Sequence, residues 1–117
     1  MGFHDDLKLK MHQYVKLVYK ISRNFPKDEL YGLTSQLRRA ALSVILNYIE
    51  GFARRKGENC KVYKNFLETS YGSLKESKYL VYFAFTESYL NEENYKLLLK
   101  LADDIGAMVW GIISKIK

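Results

Sequence analysis

Long apolar runs, cysteine, proline and histidine are all scarce in this chain, and each shortage excludes a class of protein. The longest uninterrupted apolar run, Tyr79 to Phe85, is far shorter than the about 20 residues a helix needs to span a bilayer, so no membrane span is expected. Cys60 stands alone, which rules out an internal disulfide and a cysteine zinc cluster and suits a reducing cytoplasm. The single proline and the absence of any Ser/Gly/Pro-rich tract leave nowhere for a linker in 117 residues, so one domain is expected. The opening MGFHDDLKLKMH interrupts any apolar run with charges and has Asp6 where a myristoylation pattern wants Ser or Thr, so the expectation is a soluble, cytoplasmic protein.

Chemistry is equally thin. The only histidines, His4 and His12, are roughly 80° out of register on a helix and are expected to be exposed. There is no Glu-x-x-His pair of the kind that builds a di-iron centre in a helical bundle. A helical ribonuclease using Arg followed four to six residues later by His is excluded, because no arginine precedes either histidine. Glu50, Glu68 and Glu76 are the available general acids or bases, but no nucleophile elbow or phosphate-cradling glycine loop accompanies them. No metal, no cofactor and no catalysis are expected, which leaves a protein that binds.

What is present is helical periodicity. Leu7, Met11, Tyr14, Val18, Ile21 and Phe25 keep one face apolar over five turns, with Asp5 or Asp6 as the cap. Pro26 ends that helix, and a connection with a loose helical turn leads to Thr34 as the preferred N-cap of a second helix that Gly51 stops. The third helix is expected from about Asn59 to Glu87, with Val62, Phe66, Ser70, Ser73, Ser77, Leu80 and Ala84 near one face and Gly72 adding to a small-sided middle that admits a close neighbour. Asn91 caps the fourth, whose seam runs Tyr95, Leu98, Ala102, Ile105, Val109, Ile112 and Ile116, widened by Leu97, Leu101 and Met108. The fold class is therefore all-α, an antiparallel up-down-up-down four-helix bundle.

The second helix says most. Its apolar residues spread over roughly 200° of arc, more than one stripe, and the remainder carries a column of Gln36, Arg39, Ser43, Asn47 and Glu50. A buried Glu50 must be paired, so a structural tie to a helix end or an arginine is favoured over catalysis. The excess apolar surface on the second and fourth helices predicts a ring-like or otherwise symmetric homo-oligomer.

Residues 1–57 hold 11 basic and 5 acidic residues, whereas 58–117 hold 8 of each, so the whole net charge of +6 lies in the first half. That surplus favours polyanions. Arg54, Arg55 and Lys56, with Lys61 and Lys64 in the next helix, form the candidate phosphate-binding cluster, joined by Arg38 and Arg39. Five tyrosines assigned to the third helix, Tyr63, Tyr71, Tyr79, Tyr82 and Tyr89, suit packing between helices or subunits better than base stacking.

Gln36, Arg39, Ala40, Ser43, Asn47, Glu50 and Gly51, spaced as in QLRRAALSVILNYIEG, together with Tyr63, Phe66, Leu67 and SYGSLKE, resemble the bacterial four-helix-bundle proteins encoded in 23S rRNA intervening sequences. Where that family has Ile-Ala, this chain has the bulkier Tyr48-Ile49, which is expected to alter packing beside Glu50. The resemblance implies a homopentamer and kinship with the accessory variability determinant of diversity-generating retroelements, a basic protein that binds nucleic acid and a reverse transcriptase. Two functions follow as expectations: a non-catalytic accessory factor that binds RNA or DNA, or a scaffold that recruits a protein such as a reverse transcriptase.

Overall fold

The computed structural model describes residues 2–55 and 60–116, and these hold four α-helices and no strand. None of the helices is long and apolar enough to cross a membrane. α1 (Phe3–Ser22) buries Leu7, Met11, Tyr14, Val18 and Ile21 as its spacing predicts, but it begins earlier than expected. Gly2 is the extended residue before it, so Asp5 and Asp6 are not caps; they lie in the first turn, where their charge favours the positive end of the dipole. Phe25 reaches the core from beyond the helix end, because the chain reverses there through the Phe25 N–H bond to the Ser22 carbonyl.

A 3-10 turn, Lys27–Glu29, and a wider π-type turn, Leu30–Thr34, lead into α2 (Ser35–Ala53). Thr34 does not cap α2. Its backbone is already helical, at φ −59° and ψ −50°, and its hydroxyl makes no capping bond; the Glu29 side chain instead accepts from the Leu33 N–H. Gly51 does not stop α2 either, which continues to Ala53. Its place is explained by proximity, since a Cβ there would lie 2.7 Å from the Phe66 Cβ on the neighbouring helix.

α3 (Lys61–Thr86) begins later than predicted, Asn59 lying outside the described residues, and it turns a different line inward: Tyr63, Leu67, Ser70, Leu74, Ser77, Val81 and Ala84. This line shares Ser70, Ser77 and Ala84 with the predicted one, and the bulkier set Leu67, Leu74 and Val81 takes the core while Val62 stays exposed. Tyr89 falls beyond the helix and packs on Phe25. Asn91 caps α4 (Glu92–Lys115) by accepting from the Asn94 N–H at 2.8 Å. α4 buries Leu98, Ala102, Ile105, Val109 and Ile113, with Tyr95, Ile112 and Ile116 partly buried against that core.

Each helix packs chiefly on two others, α1 and α3 both lying between α2 and α4, which makes a four-helix bundle. His4 meets Tyr48 while Arg38 meets Ser22; Gly51 meets Phe66 while Ser43 meets Ser73. Phe85 stacks on Tyr95 while Gly106 meets Leu74, and Lys10 pairs with Asp104. The small-sided contact forecast for α3 is real, but it falls where Ser43 and the Val44 carbonyl of α2 meet Ser73 and Ser70 of α3, with Gly51 set against Phe66 and Tyr63. The Ser70 hydroxyl donates to the Val44 carbonyl at 2.6 Å and Ser43 shares a hydrogen bond with Ser73 at 2.7 Å. Gly72 takes no part, being exposed with nothing within 4 Å of a Cβ built on it. A further polar contact lies in the core: Tyr14 donates to the Ser77 hydroxyl at 2.8 Å, and Ser77 donates to the Leu74 carbonyl. Burial pushes the Tyr14 hydroxyl up to about 12.

Candidate nucleic-acid interface

The sequence-predicted cations do not form one patch. Arg54 and Arg55 follow the end of α2, whereas Arg38 and Arg39 lie in its second turn, about 24 Å away along the helix axis at 1.5 Å per residue. Lys56 lies outside the described residues. Lys61 is exposed and Lys64 half-buried at the start of α3.

At the first end, Glu50 is exposed, not buried as its place in the polar column implied. It accepts from the Arg54 Nε at 2.9 Å, the i,i+4 pair expected on a helix surface, so Arg54 is partly neutralised. Arg55 is exposed and has no carboxylate partner among the described residues, its guanidinium 4.0 Å from the centre of the Phe52 ring.

Beside it lies a feature the sequence did not reveal. His4 is half-buried, not exposed: its Nδ1 is hydrogen-bonded to the Tyr48 hydroxyl, and its ring packs 4.6 Å from that of Phe52. Tyr48 itself is fully buried and so turns away from Glu50, while Ile49 is exposed. The bulkier Tyr48 is thus accommodated by the start of α1. The Tyr63 hydroxyl is buried close by with no hydrogen-bond partner among the described residues. Burial raises both tyrosine pKa values.

Burial first and the Arg55 charge second hold His4 below its ordinary pKa, with Lys8 adding to the effect and Asp5 opposing it. A histidine depressed in the folded state is protonated more readily when unfolded, so its contribution is complete above the unfolded value, about 6.5, and declines as pH falls below it. Thermal melts from about pH 7 to 5 should therefore show stability decreasing below about 6.5, and a His4→Gln variant should show a shallower decrease. An identical pH profile for the two proteins would contradict this.

The polar column resolves into separate parts. Asn47 Nδ2 donates to the Ser43 carbonyl and hydroxyl at 2.8 and 2.9 Å, so Ser43, Asn47 and Ser73 form a joint between α2 and α3. Gln36 and Arg39 are exposed, and Arg38 is half-buried, its Nε donating to Ser22 Oγ at 2.8 Å with the guanidinium over the Tyr19 ring. Arg38 and Arg39 flank a groove of about 610 Å³ along the outer face of α2. Among the described residues no three His, Cys, Asp or Glu side chains converge as a metal site.

A family model described as 23S rRNA-intervening sequence protein matches residues 6–111. Among solved structures, the chain is similar to the crystal structure of a protein of unknown function from the S23 ribosomal protein family of Bacteroides thetaiotaomicron. The TM-score is 0.81 at 16% identity, over 92% of this chain and 97% of that one. At this identity the likeness carries the fold alone. No curated protein matches the chain.

Proposed function

Because the chain belongs to the 23S rRNA-intervening sequence protein family, we propose that it is a basic, non-catalytic accessory factor of the cytoplasm that binds the phosphate backbone of RNA or DNA. The observation that carries this reading is a set of exposed cations. Lys8, Lys16, Lys20, Arg23, Arg39 and Arg55 have no carboxylate partner among the described residues. These six belong to the half of the chain that holds the net charge, and Lys75 and Lys115 of the other half are exposed in the same way. Cations left unpaired in this way neutralise phosphates and release counterions without reading sequence.

The bundle is proposed to be antiparallel, up-down-up-down, a topology supported by early residues of each helix meeting late residues of the next. It is further proposed to act as a homo-oligomer, a pentamer by family resemblance. Support comes from Ile49, Leu97 and Trp110, each 46–55% exposed, because apolar surface of this kind marks association faces. The same surface supports the second reading, a scaffold that recruits a protein partner such as a reverse transcriptase.

Charge reversal separates the two. Arg54→Glu with Arg55→Glu should weaken binding to any RNA about tenfold or more and flatten its salt dependence by about 1–2 in log–log slope. Arg55→Glu alone should account for most of the loss, since Arg54 is already paired with Glu50. Fluorescence anisotropy titrations at several salt concentrations measure both quantities. Unchanged affinity and slope would remove this end of the bundle from the interface.

A further inference from the structure

We propose that the groove on the outer face of α2, between Arg39 and Tyr31, holds an unpaired nucleotide of a single-stranded nucleic acid. This deepens the phosphate-binding reading and rests on it, but it assigns a different surface and a different substrate form from the Arg54–Arg55 end.

The lining of the groove has the chemistry of such a ligand. It contains two arginines, Arg38 and Arg39, and no acidic residue. Arg38 is held in place by its bond to Ser22 and by the Tyr19 ring, whereas Arg39 is exposed with no carboxylate partner among the described residues. Glu29, the nearby carboxylate in sequence, is engaged by the Leu33 N–H and the Tyr89 hydroxyl. The groove therefore presents positive charge that nothing inside it neutralises.

Its apolar part suits a base. Tyr31 is 94% exposed on the rim and Leu46 is 58% exposed. Tyr31 sits in the π-type turn, which departs from helical geometry at Gly32 (φ −115°, ψ −107°). An exposed tyrosine beside an arginine is the pairing that stacks a base and neutralises its phosphate, and it does so with little regard to which base is present. The volume of about 610 Å³ lies within the range of about 300–1,000 Å³ typical of small-ligand sites. A duplex, whose bases are stacked inward, has no use for the tyrosine and meets only the arginines.

The test compares a fluorescein-labelled 12-nucleotide oligo(U) with an RNA duplex of the same length, titrated against the full chain and against Tyr31→Ala and Arg39→Gln. Tyr31 is almost wholly exposed, so its replacement leaves the fold intact, which circular dichroism verifies. Tyr31→Ala should weaken the single strand about tenfold while leaving the duplex within about twofold; Arg39→Gln should weaken both. Equal effects of Tyr31→Ala on the two probes, or none on either, would overturn the groove assignment while leaving phosphate binding elsewhere intact. A change in oligomer mass on Tyr31→Ala, read by light scattering, would overturn it in favour of a contact between copies of the chain. If the unaltered protein binds neither probe at low salt, the phosphate-binding reading itself fails.

Discussion

Tyr48→Ala should destabilise the protein by about 3–5 kcal/mol, the usual cost of deleting a large buried ring and leaving a cavity. Tyr48 is fully buried in α2, and its hydroxyl holds His4 at the start of α1 while its ring packs on Phe52. Truncation thus removes core volume and the polar tie between two helices at once. Domains of this size have about 5–15 kcal/mol of total stability, so the loss is a large share of it and should lower the melting temperature by about 10–20 °C. Tyr48→Phe separates the contributions. It keeps the ring and removes only a hydrogen bond to a half-buried histidine, which costs about 1 kcal/mol. Denaturant titration of both variants measures the difference; equal losses would mean that the hydroxyl, and not the ring, is what matters.

Gly51→Ala should destabilise even though alanine is the better helix former. The propensity gain is at most about 1 kcal/mol. Against it, the new methyl would lie 2.7 Å from the Phe66 Cβ and 3.3 Å from the Tyr63 ring. The Phe66 Cβ is fixed to the α3 backbone and does not swing aside, so the helices must separate, at a cost of about 1–3 kcal/mol for overpacking. A net loss of about 1–2 kcal/mol is expected, more for Gly51→Leu. Gly72→Ala is the control: it is exposed in α3 with nothing within 4 Å, and it should stabilise by about 0.5–1 kcal/mol. If both substitutions stabilised, the close contact between α2 and α3 would not exist in solution.

These two positions show what was legible in the sequence. Periodicity alone identified all four helices and most of the buried side chains of α1 and α4, because the three-four spacing of apolar residues runs the length of each. It placed the α3 face one residue off, since two overlapping seams share Ser70, Ser77 and Ala84. It also assigned Gly51 to helix termination and close packing to Gly72, whereas the close approach is at Gly51 and nothing packs against Gly72 in the interior of α3. A glycine's role depends on which neighbour approaches it, and that is a property of the assembled bundle. The joint of Ser43, Asn47 and Ser73 was visible only as a column on one helix; its partner on α3 is thirty residues away from Ser43. His4 looked like a surface residue because nothing local connects it to Tyr48, forty-four positions on. For the basic residues, sequence named candidates but showed neither their division between two ends of α2 nor the pairing of Arg54 with Glu50 that weakens its claim. Tyr31 drew no notice as part of a connection, and only its exposure beside Arg39 made it a candidate.

The central claim is that the unpaired cations of the first half serve to hold polyanions on an oligomeric bundle. Size-exclusion chromatography with light scattering, run with and without single-stranded RNA at about 50 mM and about 200 mM salt, tests it most directly. The account predicts a particle heavier than the 13.7 kDa chain that gains the mass of RNA at the lower salt and loses it at the higher. A monomer whose mass is the same with and without RNA at both salt concentrations would contradict it.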